Sequence, residues 1–157
     1  MILAEAKKIA DRVVEELKPY CFRIEIAGSI RRKKPEVKDI EIVCFPCSAS
    51  AFNFKTTVEK YQKVRGEALG KYTQRILPEG IKLDLFMTAR DNFGLIFLIR
   101  TGPAEFSKWI IGIKLPEAGY KCRGGYLWNK KGEMMAFEEE DIFKLAGLNY
   151  IPPEKRS

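Results

Sequence analysis

The most constraining stretch of this chain runs from Ala27 to Val43, where a Gly-Ser turn and a basic loop join two apolar segments. The second segment begins at Asp39, and its acidic and apolar residues alternate. Because successive side chains of a strand point to opposite faces, Asp39 and Glu41 share one face while the isoleucines beside them enter the core. The pattern therefore predicts a strand that presents two neighbouring carboxylates on one side of a sheet.

A third acid, Asp84, stands alone inside the apolar run from Lys82 to Phe86. An aspartate in such a run is costly if it faces the core, so we expect it to face the same side as Asp39 and Glu41. Three close carboxylates repel one another unless a cation lies between them, and Mg²⁺ prefers oxygen ligands. The spacing alone also fits half-exposed strands whose three acids face solvent.

Length and charge set the broad class of protein. The 157 residues suffice for one domain with a core or for two small subdomains. The net charge of +7 favours partners with phosphate backbones. Neither a bilayer-spanning apolar run nor a signal-peptide pattern occurs, so we expect a cytoplasmic protein with no membrane partner.

The absence of histidine limits the kinds of catalysis and metal binding that this chain can support. The chain contains no histidine, which excludes histidine acid–base catalysis, Ser-His-Asp triads and histidine-ligated zinc. Cys44 and Cys47 have the C-x-x-C spacing, but no second pair accompanies them. We therefore predict reduced thiols rather than a zinc site. Any chemistry must use carboxylates, Lys, Arg and metal.

The periodicity predicts an α+β protein. Apolar residues at helical spacing indicate a helix over 2–17, and a mixed sheet of about five strands follows, with a short helix at 55–61. A boundary near 88–91 would divide the chain into residues 1–89 and 90–157. The predicted strands of the sheet are 22–27, 39–45, 64–69, 72–77 and 81–87. The predicted elements of the second part are helices at 92–99, 104–113 and 138–146 and a small hairpin at 119–128.

Several motifs together resemble a known family. Gly28-Ser29 followed by Asp39-x-Glu41 is similar to the core signature of the nucleotidyltransferase superfamily. The longer string Gly-Ser-Ile-Arg-Arg, the Thr101-Gly102 turn and the C-terminal segment 141–157 resemble the DNA polymerase X family. The chain is most similar to minimal members. The resemblance implies a nucleotidyltransferase palm (1–89), with mixed β-sheet and flanking helices, and a small α+β nucleotide-selecting subdomain (90–157).

The resemblance also implies catalytic roles for the three acids. Asp39, Glu41 and Asp84 would be the catalytic residues and the ligands of Mg²⁺ or Mn²⁺. Asp39 and Glu41 would hold the metal that accompanies the triphosphate, and Asp84 would lie nearest the 3′-hydroxyl of a primer. Polymerases of the family usually carry Asp at both positions of the first pair, so Glu41 is a departure from the pattern.

Nucleotide binding is implied at two turns. The Gly-Ser turn would approach the β- and γ-phosphates, a basic side chain after it would bind the triphosphate, and the Thr-Gly turn would line the sugar. Family polymerases carry two aromatic residues just before the Thr-Gly turn, where this chain has Ile99 and Arg100. The residues implied for nucleotide binding are Gly28, Ser29, Arg32, Thr101 and Gly102. Arg31 and Lys33 are secondary candidates for the triphosphate.

The function implied is DNA-directed nucleotidyl transfer. The enzyme would add dNMP from dNTP to a DNA 3′-hydroxyl by two-metal catalysis and would fill gaps during DNA repair. Its partners would be gapped or primer-template DNA and dNTP, and it would act as a monomer. Two alternatives stay open: a nucleotidyltransferase acting on a protein, RNA or small-molecule acceptor, and a non-catalytic nucleic-acid-binding protein.

Overall fold

The computed structural model describes residues 1–157, apart from the side chain of Met135. Its first part consists of helices and a five-stranded sheet. These elements are α1 (Leu3–Leu17), β1 (Cys21–Ile26), α2 (Gly28–Arg31), β2 (Asp39–Pro46), α3 (Ala51–Glu59), β3 (Gln62–Arg65), β4 (Tyr72–Ile76) and β5 (Lys82–Met87). Its second part contains α4 (Phe93–Thr101), α5 (Ala104–Trp109), a π-helical turn (Ile110–Lys114), α6 (Leu115–Glu117), β6 (Lys121–Arg123), β7 (Tyr126–Trp128), β8 (Met134–Met135) and α7 (Glu139–Leu145).

The larger sheet is mixed. Its strands lie in the order β1-β2-β5-β4-β3, with β2 parallel to β5 and the other neighbours antiparallel. A parallel pair needs a crossover connection, and α3 with the β3–β4 hairpin supplies it. The prediction of an α+β fold with a mixed sheet of about five strands is confirmed.

The two faces of this sheet have different coverings. One face carries alternate apolar residues of β2 and β5, such as Ile40, Ile42 and Leu83, and packs against α1 and α3 in the main core. The other face carries the acids at one end and Val43 and Phe86 further along. Aromatic residues of α4 pack on that apolar portion and leave the acidic end uncovered by this cluster.

The second part has a core of its own. Helices α4 to α7 and the small antiparallel sheet β6-β7-β8 enclose a cluster of buried apolar side chains. The largest are Leu95, Leu98, Phe106 and Phe143, each at most 2% exposed. Because α4 contributes both to this cluster and to the aromatic contact with the larger sheet, it joins the two parts.

Local structure differs from the sequence-based prediction at four places. The short helix expected at 55–61 is α3, which begins four residues earlier and ends at Glu59. The segment after β1, expected to be a loop, forms the single helical turn α2. The strand expected at 64–69 is β3, and it ends before Gly66, whose φ of 76° bends the chain. The single helix expected at 104–113 is interrupted by the π-helical turn.

Candidate active site

The three predicted acids lie on one face of the larger sheet. β2 and β5 run side by side with Glu41 directly opposite Asp84 and with Asp39 opposite Lys82. Residues opposite each other on neighbouring strands project to the same side, and alternate residues of one strand do so too. Asp39, Glu41 and Asp84 therefore share a face, and only Asp84 is buried, at 6% exposure.

The acids influence one another electrostatically. Burial, and then the charges of Asp39 and Asp84, raise the pKa of Glu41 to about 7. Burial and the charge of Asp84 also raise the pKa of Asp39, against the opposing effects of Lys82 and Arg32. The cluster thus holds more negative charge than its cationic neighbours compensate.

Gly28 brings the backbone against the carboxylate of Glu41. Its φ of 62° is a conformation that residues with a Cβ rarely adopt. A Cβ placed there would lie 2.1 Å from Glu41 Oε2, closer than any non-bonded contact allows. Glycine is therefore required here both by conformation and by space.

A cleft of about 430 Å³ lies beside the acids, and Ser29, Arg32, Asp39 and Glu41 line it. The loop residues that complete its lining are Lys34, Pro35, Glu36 and Lys38. Ser29 Oγ and Arg32 Nε are buried and have no hydrogen-bond partner within the described part of the chain. Unpaired buried donors are uncommon in folded proteins. An anion in this cleft would satisfy them.

The Thr101-Gly102 turn reaches this cleft through Arg32. The Arg32 guanidinium donates to the Thr101 carbonyl oxygen at 2.5 Å, and a Cβ on Gly102 would lie 3.2 Å from Arg32 Nη1. The Thr101 hydroxyl donates to the Phe97 carbonyl and accepts from Arg31, both at 2.7 Å. Its side chain therefore serves the fold, and the backbone of the turn is the part that remains for a ligand.

Two residues that donate hydrogen bonds to Asp84 are not predicted from the sequence. The Tyr72 hydroxyl donates to Asp84 Oδ1 at 2.6 Å, and Gln74 Nε2 donates to the same oxygen at 2.8 Å. Burial, and then the bond to Asp84, raise the pKa of Tyr72 to about 12. The sequence predicts that Tyr72 and Gln74 share one face of a strand, but it does not predict that this strand pairs with the strand that carries Asp84.

A buried ion-pair network joins the two parts of the chain and was also missed. Glu139, the first residue of α7, accepts two hydrogen bonds from Arg31 at 2.7 and 2.9 Å and two from Arg156 at 3.0 and 2.9 Å. Burial alone would raise the pKa of Glu139, but the two guanidinium groups outweigh it and lower that pKa. Arg31 is a secondary candidate for the triphosphate by sequence, but its guanidinium is bonded to Glu139 and Thr101.

The arrangement and chemistry of the three acids decide whether a divalent cation fits between them. Within the described chain, no three acidic or cysteine side chains already converge as a complete metal centre. The acids nevertheless share one face, consist of the oxygen donors that Mg²⁺ prefers, and carry an excess of negative charge that a cation would relieve. The donor set therefore fits Mg²⁺ or Mn²⁺. The four cysteines are free thiols, and none forms a disulfide.

The comparison with known families concerns the second part of the chain. Residues 96–157 match the family model of the DNA polymerase beta thumb. The match supports a relationship with DNA polymerase beta and the X family, and it indicates polymerase-like nucleic-acid binding. None of the helices in the described chain combines the length and the apolar character needed to cross a bilayer.

Proposed function

We propose that this protein is a DNA polymerase X-like nucleotidyltransferase that adds dNMP from dNTP to a DNA 3′-hydroxyl. The observation that carries the proposal is the alignment of Asp39, Glu41 and Asp84 on one sheet face, beside a cleft that contains unpaired buried donors. The thumb match adds the expectation of DNA as partner. Gap-filling during DNA repair is the role that this activity would serve.

Each residue of the site would have a separate role in the reaction. Gly28, Ser29 and Arg32 would bind the triphosphate through close backbone approach, a hydroxyl donor and a guanidinium. Asp84 would accept the proton of the attacking 3′-hydroxyl. The hydroxyl oxygen would then bond to the α-phosphorus as the bond to pyrophosphate breaks and pyrophosphate leaves. The backbone of the Thr101-Gly102 turn would border the sugar of the incoming nucleotide.

Asp39, Glu41 and Asp84 are the residues that would hold Mg²⁺ or Mn²⁺. Bound there, the metal would neutralise phosphate charge and lower the pKa of the attacking hydroxyl. Glu41 has a longer side chain than the usual Asp, and its contact with Gly28 brings its carboxylate back against the backbone. We expect that contact to compensate for the longer side chain.

The proposal assigns residues 1–89 to a catalytic palm and residues 90–157 to a nucleotide-selecting subdomain. The boundary falls between β5 and α4, where the larger sheet ends and the second core begins. Every residue named for the reaction belongs to one copy of the chain, so we expect the monomer to be active.

The test is extension of a one-nucleotide-gapped duplex offered each dNTP separately with Mg²⁺. The wild type should add the nucleotide complementary to the template, and Asp84→Asn should reduce addition at least a thousandfold while retaining the fold. Asp11→Asn, an exposed substitution on α1, serves as the control and should act like the wild type. Undiminished addition by Asp84→Asn would remove the proposal.

A second candidate is a nucleic-acid-binding protein without catalysis. The observation that favours it is the family match, which covers residues 96–157 and indicates nucleic-acid binding. It predicts DNA binding that is unchanged by Asp84→Asn and no nucleotide addition by the wild type on any DNA end.

A further inference from the structure

The two carboxylate oxygens of Asp84 differ in their hydrogen-bond partners. The side chain is 6% exposed, and the hydrogen bonds from Tyr72 and Gln74 both reach Oδ1. Neither donor reaches Oδ2. The Tyr72 bond of 2.6 Å is in the range of a charge-assisted O–H···O⁻ hydrogen bond. One oxygen of the carboxylate is therefore fixed, and the other is left for a different partner.

The direction of these bonds follows from the chemistry of the groups. An ionised carboxylate only accepts hydrogen bonds, so the Gln74 amide must present its nitrogen to Asp84. Its oxygen, Oε1, is consequently buried without a hydrogen-bond partner in the described part of the chain. Leaving a buried acceptor unpaired is unfavourable. The hydrogen bond from Gln74 to Asp84 therefore outweighs the loss of a partner for Gln74 Oε1.

The sheet fixes both donors in place. Gln74 lies directly opposite Asp84 in the β4–β5 register, and Tyr72 lies opposite Phe86. The Tyr72 ring stacks on the Phe86 ring with their centroids 5.1 Å apart, which orients the hydroxyl toward Asp84. Both donors therefore stand on a rigid element rather than on a loop.

We propose that Tyr72 and Gln74 are positioning residues that hold Asp84 through Oδ1 and so keep Oδ2 available to the cation and the attacking hydroxyl. This inference rests on the proposed function of the acid cluster. Asp39 and Glu41 repel the Asp84 carboxylate, and without the two donors it would turn away from them. The donors offset that repulsion before a cation binds.

An ordinary cross-strand pair would look similar but would behave differently. Hydrogen bonds across a sheet that serve only stability change the free energy of unfolding when they are removed. Hydrogen bonds that orient a metal ligand also change metal affinity, by about 10- to 100-fold. Metal affinity is therefore the measurement that separates the two roles.

The experiment compares Tyr72→Phe, Gln74→Met and the double variant with the wild type. Tyr72→Phe retains the ring that stacks on Phe86, and Gln74→Met retains most of the side-chain volume. Tyr126→Phe is the matched control, because Tyr126 and Tyr72 both line a second cleft, separate from the one that contains Arg32. Mn²⁺ binding is measured by electron paramagnetic resonance with a non-hydrolysable dNTP analogue present, alongside kcat and KM for dNTP on gapped DNA.

We expect each single variant to bind Mn²⁺ about 10-fold more weakly and the double variant about 100-fold more weakly. The value of kcat should fall in parallel, while KM for dNTP stays near the wild-type value because neither residue lines the cleft that contains Arg32. Tyr126→Phe should match the wild type in both measurements.

Unchanged Mn²⁺ affinity in both single variants would overturn the inference, even if the variants unfolded more easily. A wild type that binds Mn²⁺ but adds no nucleotide would overturn the proposed function alone, and the Mn²⁺ comparison would still decide the role of Tyr72 and Gln74. A wild type that binds no Mn²⁺ would overturn both.

Discussion

Two glutamates in this protein, the buried Glu139 and the half-buried Glu41, meet opposite electrostatic surroundings. Glu139 lies between the guanidinium groups of Arg31 and Arg156, and its pKa is lowered. Glu41 lies beside two other acids, and its pKa is raised to about 7. The chain therefore compensates the charge of Glu139 itself and leaves the charge of Glu41 without full compensation.

The difference separates a structural ion pair from a candidate site. The buried carboxylate of Glu139, paired on both sides, holds α7 and the C-terminal segment against α2. A half-buried carboxylate among like charges weakens the fold unless a ligand relieves the repulsion, and such perturbed groups concentrate at functional sites. The comparison can be tested by giving both glutamates the same substitution.

The largest effect on stability is expected at Glu139. Glu139→Gln leaves Arg31 and Arg156 without a carboxylate, and breaking a buried ion pair costs about 3–5 kcal/mol. Urea unfolding at pH 8 measures the loss. Glu140→Gln is the neighbouring control, because Glu140 is exposed in the first turn of α7, and its loss should be below about 1 kcal/mol. Equal losses in the two variants would contradict the assignment.

The same substitution at Glu41 should act in the opposite direction. At pH 8, Glu41→Gln removes a charge that the folded protein tolerates poorly, so the free energy of unfolding should increase by up to about 3 kcal/mol. Nucleotide addition should be lost in the same variant. A destabilised Glu41→Gln protein would show that Glu41 is already compensated within the chain.

The pH dependence of stability should reveal the two pKa shifts separately. Between its ordinary value of 4.5 and about 7, Glu41 holds a proton in the folded chain but not in the unfolded chain. Its contribution is therefore present at low pH and lost as the pH rises through this window, with a slope of at most about 1.4 kcal/mol per pH unit. Glu139 has a lowered pKa, so its contribution is present at neutral pH and lost in acid.

Urea unfolding from pH 4 to pH 8 provides the measurement. The stability curves of the wild type and Glu41→Gln should diverge progressively above pH 4.5, while the curve of Glu139→Gln should approach that of the wild type in acid. Parallel curves for the wild type and Glu41→Gln would show that the pKa of Glu41 is not raised.

The sequence predicted the acidic site better than it predicted the ionic network. Alternation on one strand places Asp39 and Glu41 on one face, and the cost of burying Asp84 in an apolar run favours the same face. Pairing across the sheet was not visible, so the donors to Asp84 were missed. Glu139 lies 108 residues from Arg31, and no local pattern records such a contact.

The smallest expected effect concerns the partial counter-charge of Glu41. The Arg100 guanidinium lies 4.2 Å from the centre of the Phe86 ring and lowers the pKa of Glu41 against the larger raising effects. Arg100→Ala should therefore raise the pKa of Glu41 further, by less than about 1 unit. Carbon-13 NMR of the glutamate carboxyl groups measures this shift, and Arg90→Ala is the control. A lowered pKa in Arg100→Ala would contradict the electrostatic account.

The most direct test of the acid cluster is the effect of Mg²⁺ on the unfolding free energy at pH 8, with a non-hydrolysable dNTP analogue present. A cation bound among Asp39, Glu41 and Asp84 should stabilise the wild type, by about 2.7 kcal/mol at 100 times its dissociation constant. Glu41→Gln should lose most of that increase, and Glu139→Gln should retain it. An equal increase in all three proteins, or none in the wild type, would contradict the account.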